Sequence, residues 1–196
     1  MLLKSIQGYR ASIRSSVRGL WSGTWDYYTF IDQMSLAIER GFTQAWYEGA
    51  KQYGIYPSEI TDEERAVLAS EVSKEIGFVG NLGHAINANS KAVGGKLEPL
   101  FARAELWVSA YNRVAVMGSM FAAKDQKLEW QLGMSKEHCS DCVRYNGRVY
   151  RASVWRKHNI QTRMYELECR GYKCKCSFVV TDKPANPGYP PRPRGR

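Results

Sequence analysis

The position of the cysteines constrains this chain more than any other sequence feature. All five fall within residues 139–176, and none occurs before them. They form two groups: "HCSDC" at 138–142, here the first cysteine group, and "CRGYKCKC" at 169–176, the second cysteine group. Two short thiol-rich segments of this kind are the ligand pattern of a closed structural zinc site, in which four thiolates surround the ion as a tetrahedron. The sequence therefore predicts that both groups belong to one Zn²⁺ site.

The count of five leaves the ligand set open, because tetrahedral coordination takes four thiolates. The candidate ligands are Cys139, Cys142, Cys169, Cys174 and Cys176. We favour the first four, with Cys176 either replacing one of them or beginning the next strand as a buried thiol. In a strand Cys174 and Cys176 would point to the same face, so a turn between them decides whether both reach the metal. His138 and His158 are reserve ligands.

Other cysteine chemistries fit the pattern less well. Structural disulfides favour an even number of cysteines in a secreted chain, and the sequence begins with no visible secretory signal. A thioredoxin-like site places its C-x-x-C at the start of a helix in a βαβ unit, whereas a helical region is predicted here before the first group. A zinc deaminase would carry H-x-E and P-C-x-x-C, and neither is present.

The first 125 residues are predicted to form a helical domain. It begins with an amphipathic helix in residues 1–22, whose apolar positions run from Leu3 to Leu20 at helical spacing. Long helices are predicted at about 24–54 and 97–123, and Thr61 with Glu64 forms a capping box that starts another between them. Together they predict an elongated bundle. No apolar run reaches the roughly 18 residues of a membrane span.

Residues 126–182 are predicted to form a small β-rich module. Short strands are expected within 127–133, 147–155 and 176–182, separated by turn-forming segments. Because the segment shows no large apolar content, we expect the metal to hold the module together. Residues 183–196 hold five of the seven prolines and three arginines, which predicts a disordered basic tail. The fold class is thus mainly α with a zinc-stapled ribbon-like module.

The positive charge is concentrated in the cysteine-bearing part. Residues 1–125 contain 13 Lys and Arg against 13 Asp and Glu, whereas residues 126–196 contain 15 against 6, which accounts for the whole net charge of +9. Such a module favours polyanions through counterion release, although a solvated surface would have the same composition. The candidate nucleic-acid contacts are Arg144, Arg148, Arg151, Arg156, Lys157, Arg192, Arg194 and Arg196.

Catalysis finds little support in the sequence. The three histidines are scattered at 84, 138 and 158, and the chain has no nucleophile elbow or phosphate-binding glycine loop. A zinc ion with four thiolates would have no open position for water. We therefore predict that the protein is not an enzyme.

The layout of the chain resembles the phage minor head, or head morphogenesis, family related to the phage Mu F protein. The resemblance spans about residues 25–180 and is most specific at "HCSDC", "NGRVY" and "CRGYKCKC". In that family a C-x-x-C is followed by a histidine shortly before C-R-C. Cys139 and Cys142 match the first pair and Cys174 and Cys176 the second, while Cys169 stands near the position of the histidine.

The resemblance implies a structural virion protein that acts in head morphogenesis. It implies several copies at the portal vertex or capsid interior, with portal or major capsid protein as partners and contact with packaged double-stranded DNA. Its location would be the virion head, and the host cytoplasm during assembly. The same charge asymmetry would suit an alternative, a zinc-ribbon nucleic-acid-binding regulator outside the capsid.

Overall fold

The computed structural model describes residues 5–195, and the chain is mainly helical with one small sheet. It divides into two compact units. The first comprises the described residues up to Ala45 with Ile60–Tyr111, and the second comprises Trp46–Glu59 with the described residues from Asn112 onward. The predicted boundary at residue 125 therefore falls inside the second unit. Residues 1–4, with Leu3 of the predicted first helix, and Arg196 lie outside the described residues.

The described part of the first 122 residues forms five helices. They are α1 (Ile6–Ser22), α2 (Tyr27–Lys51), α3 (Asp62–Ile76), α4 (Val79–Ala88) and α5 (Glu98–Ala122), with 3₁₀ turns at Pro57–Glu59 and Lys91–Val93. The side chain of Ser5 caps the start of α1, and Gly23 ends it in the left-handed conformation with φ 77°. None of the described helices is long and apolar enough to cross a membrane.

The predicted capping box is confirmed. The Thr61 hydroxyl accepts the N–H of Glu64, and the Glu64 carboxylate accepts the N–H of Thr61 at 2.9 Å. Three acidic residues also lie in the first turn of α3, where the helix dipole favours negative charge. The helix then ends at Gly77, and a separate helix follows, so the glycine-rich stretch breaks what its spacing alone predicts as one helix.

The core of the first unit follows helical spacing. On α2 the predicted inward positions Phe30, Met34, Ile38 and Phe42 are fully buried. α1 contributes its own stripe, centred on Ile13, and packs against α4. This unit thus has the amphipathic faces that its sequence predicts.

The second unit contains the ends of α2 and α5 and the whole cysteine region. Gly49 and Gly118 let these two helices approach closely: a Cβ at Gly49 would collide with the Ala115 carbonyl oxygen, and one at Gly118 with that of Trp46. The remaining elements are β1 (Lys127–Gln131), α6 (Ser140–Tyr145), β2 (Val149–Arg151), α7 (Ala152–Lys157) and β3 (Ser177–Val180). The strands form one antiparallel sheet in the order β2-β1-β3.

The expectation that this region lacks a substantial core is wrong. Trp130 of β1, Tyr145 of α6 and Trp155 of α7 are fully buried, with the Trp130 ring centroid 4.7 Å from that of Tyr145 and 6.0 Å from that of Trp155. Tyr150 and Phe178 pack edge-on against this aromatic cluster. The sequence pattern missed it because its members lie on short elements that show no extended period. Apolar burial therefore stabilises this unit in addition to any metal.

The prediction of a disordered tail is also not confirmed, because residues 183–195 are bound to the rest of the second unit. Asn186 pairs with Val149, donating its backbone N–H to the Val149 carbonyl at 2.8 Å and accepting the Val149 N–H on its side chain at 2.7 Å. Farther along, the Tyr145 hydroxyl donates to the Pro191 carbonyl. Composition predicted disorder because proline and arginine form no core of their own, but this tail uses backbone groups to bind the surface of a core that already exists.

Candidate metal centre

The first cysteine group is shaped by the start of α6. Cys139 is the N-cap of this helix, and its sulfur accepts the backbone N–H of Cys142 at 3.5 Å. A sulfur in the N-cap position turns toward the helix axis, which brings it to the same side as the Cys142 sulfur one turn later. The C-x-x-C spacing therefore presents both thiols to one point.

The second cysteine group is shaped by a tight turn. Gly171 has φ 69°, and a Cβ at this position would collide with the Arg163 carbonyl oxygen. Arg170 and Lys173 also lie in the left-handed region, with φ 49° and 51°. The turn folds the segment back on itself, so Cys169 and Cys174 face the same cluster despite the four residues between them.

The five thiols form two trios that share one member. The sulfurs of Cys139, Cys142 and Cys169 lie within 4.8 Å of one another, and so do those of Cys142, Cys174 and Cys176. Cys142 belongs to both trios and lies 3.9 Å from the Cys174 sulfur. Zinc–sulfur bonds of about 2.3 Å in a tetrahedron place sulfurs about 3.8 Å apart. The cluster could therefore hold a metal ion, and its donors suit Zn²⁺.

The sulfurs of Cys174 and Cys176 both reach the cluster because the chain between them is irregular and β3 begins only at Ser177. The turn that the sequence left open is thus present. Cys176 is buried and joins the hydrophobic core beside the sheet, whereas Cys139, Cys169 and Cys174 are half-buried. Cys142 is buried in the same core, so burial does not separate Cys176 from the other candidate ligands.

Close packing changes the acidity of the thiols. Hydrogen bonds from Cys142, Cys169 and Cys176 lower the pKa of the Cys174 thiol. Hydrogen bonding with Cys169, Cys174 and Cys176, and then burial, raise the pKa of the Cys142 thiol. The cluster thus favours one thiolate and resists a second, because adjacent negative charges repel. A divalent cation would remove that repulsion and displace the remaining protons.

A buried carboxylate joins the two cysteine groups. Asp141, between the first two cysteines, is fully buried and accepts the backbone N–H of Glu168 at 3.0 Å. In return the Glu168 carboxylate accepts both the N–H and the hydroxyl of Ser140 at 2.8 Å. An acid of the first group thus binds the backbone next to the second group, and an acid next to the second group binds the backbone of the first. These hydrogen bonds fix the distance between the two groups.

Asp141 also binds the tail. Its two oxygens accept the backbone N–H groups of Arg194 and Gly195 at 2.8 and 3.2 Å, and one of them accepts the Arg144 guanidinium at 3.1 Å. A buried carboxylate is stable only when its lone pairs are satisfied in this way. Sequence reasoning missed Asp141 because three of its partners lie far along the chain. The available signal was an acid between two cysteines in an otherwise basic region.

A cavity of about 300 Å³ opens beside the thiols. It is lined by Lys136, His138, Tyr172, Lys173 and Lys175 in addition to the cysteines. His138 thus lies in the lining of the cavity next to the thiols, while His158 stacks on Tyr189 with ring centroids 4.8 Å apart. Of the two reserve ligands, only His138 lies beside the cluster.

Several of the predicted nucleic-acid contacts have structural partners. Arg151 forms an ion pair with Asp125 at 3.0 Å, and Arg148 donates to the Arg144 carbonyl at 2.9 Å. The Arg156 guanidinium donates to the Met120 carbonyl at 2.5 Å and lies over the Phe121 ring. Lys157, Arg192 and Arg194 are exposed, and Arg196 lies outside the described residues.

Comparisons of the chain with protein-family models, with curated proteins and with solved structures each gave no match. The resemblance to the phage minor head family therefore stays a prediction that rests on the sequence motifs.

Proposed function

We propose that this protein is a structural bacteriophage virion protein, a minor head protein that acts in head morphogenesis. The observation that carries the proposal is the convergence of "HCSDC" and "CRGYKCKC" on one thiol cluster. These are the same two motifs on which the family resemblance is most specific, so the cluster gives them a common structural purpose.

In this proposal Zn²⁺ is a structural cofactor. Its ligands are Cys139, Cys142, Cys169 and Cys174, and Cys176 is a buried thiol. The ion replaces the missing core between the two cysteine groups and holds them as one rigid surface. No step of catalysis is assigned to it.

The remaining features are assigned to assembly. The long helices form an elongated bundle that contacts portal or major capsid protein, in several copies per virion. The basic module faces the capsid interior and the packaged double-stranded DNA. The protein is then found in the phage head, and in the host cytoplasm before assembly.

Metal content tests the zinc site. Elemental analysis of the purified protein should give about one zinc per chain. Cys142→Ser should abolish stoichiometric zinc, because Cys142 belongs to both thiol trios, while Cys176→Ser should retain it. Iron in place of zinc would overturn the cofactor assignment, since a four-thiolate site also accepts iron. Loss of zinc in Cys176→Ser would overturn the ligand set.

Co-purification tests the assembly role. The tagged protein should retain the portal or major capsid protein of the same phage when they are co-expressed, and it should be detected in purified heads. The second candidate, a zinc-ribbon regulator outside the capsid, is favoured by the charge of +9 within residues 126–196. Specific operator binding without any portal or capsid association would support the regulator and overturn the virion role.

A further inference from the structure

Six exposed aromatic and cationic side chains lie in and around the second cysteine group. They are Lys136, Tyr165, Arg170, Tyr172, Lys173 and Lys175, here called the basic-aromatic face. Tyr165 and Tyr172 expose 57% and 48% of their surface. Other tyrosines of the chain are at least as exposed, so it is the pairing of these two with cations that distinguishes the face.

The tyrosines and cations of this face occur as pairs. The Arg170 guanidinium lies 5.6 Å from the centre of the Tyr165 ring, and the Lys173 ammonium lies 5.2 Å from the centre of the Tyr172 ring. Each pair therefore presents a flat apolar surface next to a positive charge. Lys136, Tyr172, Lys173 and Lys175 also line the cavity beside the thiols.

The cations of the face have no acidic partner among the described residues. Lys136, Arg170, Lys173 and Lys175 form no ion pair there, whereas Arg144, Arg151 and Lys183 each do. A cation without an acidic partner need not break an ion pair when it binds a phosphate. These cations are thus free to pair with phosphates, whereas Arg144 and Arg151 of the predicted nucleic-acid contacts already form ion pairs.

The backbone under the face is strained. Arg170 and Lys173 both hold positive φ, a region that asparagine or glycine occupies at lower cost. Asn159 occupies the same region with φ 52° elsewhere in this unit. The chain therefore places long cationic side chains where a turn alone would favour asparagine.

Nearby acidic groups do not cancel the positive charge of the basic-aromatic face. Glu137 lines the cavity and Glu166 is exposed beside Tyr165, but the Glu168 carboxylate is taken by Ser140. A zinc ion with four thiolates would add about −2. Residues 126–196 carry +9 before this addition, so the module stays basic with the metal bound.

We propose that the basic-aromatic face binds single-stranded nucleic acid, with Arg170, Lys173, Lys175 and Lys136 on phosphates and Tyr165 and Tyr172 stacking on bases. Open ring faces favour exposed bases, because duplex bases are already stacked and an acidic peptide offers nothing flat to stack on. This inference rests on the nucleic-acid contact included in the proposed function and adds to it a site for single strands at one surface of the basic module.

Binding is measured by fluorescence anisotropy of a labelled oligothymidylate of about 15 nucleotides with the full zinc-loaded chain. Tyr172→Ala should weaken binding about fivefold or more and leave the salt dependence unchanged, because a stacked base is lost and no phosphate contact. Arg170→Asn with Lys173→Asn should lower the slope of log affinity against log salt by about 1.4, for two phosphates.

The double variant has a matched control. Asparagine relieves the strain at positions 170 and 173, so the turn is expected to fold, and zinc content confirms that it has. The control is Lys124→Asn with Lys74→Gln, which removes two exposed charges, one of them also at positive φ. This control should keep the affinity and the salt slope of the parent protein.

Three results would overturn the inference. They are equal losses in the double variant and its control, competition by a duplex or by polyglutamate as strong as by the oligonucleotide, or no binding at about 50 mM salt. None of these bears on zinc content or on portal association, so the proposed function would stand if this inference failed. Loss of portal association with intact strand binding would instead overturn the proposed function and leave strand binding in place.

Discussion

The two sides of the second unit are held together by different forces. The aromatic cluster around Trp130 and Trp155 is stabilised by burial, which depends little on pH or on the redox state of the medium. The five thiols form two trios that share Cys142, each with its sulfurs within 4.8 Å of one another, and closely spaced thiols resist ionising together without a cation. One side is therefore a core built from the chain's own rings, and the other is a group of thiols that could hold a metal ion.

This difference corrects the reason for expecting a metal. A lack of apolar content is not the reason why the module would need an ion. In the proposed site the ion is needed because the thiols of residues 133–142 and 167–176 face one another across segments whose backbone is irregular apart from the first turn of α6. On this proposal the metal stabilises these segments, while the sheet beside them is stabilised by the aromatic cluster.

The largest expected effect comes from removing the metal. A chelator should abolish the order of residues 133–142 and 167–176 and leave the amides of β1 and β2 protected, because only the loops depend on the ion. The binding free energy lost is on the order of 10 kcal/mol. Hydrogen exchange resolved by segment measures both regions. Equal loss of protection in the sheet would show that the two sides fold as one cooperative unit.

Trp155→Ala tests the aromatic cluster on the other side of the second unit. It removes a fully buried indole and its hydrogen bond to the Leu128 carbonyl at 3.1 Å, and should lower the free energy of unfolding by about 3–5 kcal/mol. Urea denaturation followed by near-ultraviolet circular dichroism measures the loss. Tyr28→Ala is the control, because Tyr28 is 79% exposed and should change stability by about 0.5 kcal/mol or less. A loss for Trp155→Ala no larger than for this control would contradict the assigned role of the aromatic cluster.

Asp141→Asn tests the link between the cysteine groups. Each carboxylate oxygen accepts two donors and an amide nitrogen accepts none, so whichever oxygen the NH₂ group replaces, two donors lose their partner. Zinc affinity should fall about 10- to 100-fold, as for other groups that orient metal ligands. Competition with a chromogenic chelator measures it. Glu137→Gln removes the same charge from an exposed residue at the cavity and should leave the affinity unchanged.

The smallest effect concerns pH. Burial raises the pKa of Tyr145 to about 12, so the folded protein keeps this proton while the unfolded chain loses it near pH 10. The stability that the neutral hydroxyl contributes is complete below about pH 10 and is lost as pH rises toward 12. The difference in unfolding free energy between the parent and Tyr145→Phe should therefore shrink over this range. A constant difference would contradict this.

The sequence predicted those parts of the molecule whose information is local. The buried stripe of α2 and the Thr61 capping box are written in spacings of three and four residues, and both are present. The cysteine groups are equally local, because ligand spacing is short. All three could be identified without knowing any long-range contact.

What the sequence did not predict depends on distant partners. α6 and α7 are only six residues long, so no period identified them, and Tyr145 and Trp155 gained their importance from rings on other elements. The tail was expected to be disordered because its composition cannot form a core. Its order comes from bonds to Val149 and to the Asp141 carboxylate, which no window of the tail itself contains.

The bonds of Asp141 to the tail have a consequence for the order of synthesis. Its donors at Arg194 and Gly195 lie 53 and 54 residues farther along the chain. A ribosome synthesises the chain from its amino end, so the first unit can fold before half of the hydrogen-bond partners of this carboxylate have been made. We expect zinc to bind while the two cysteine groups are still flexible. Their relative position should become fixed only when residue 195 has been made.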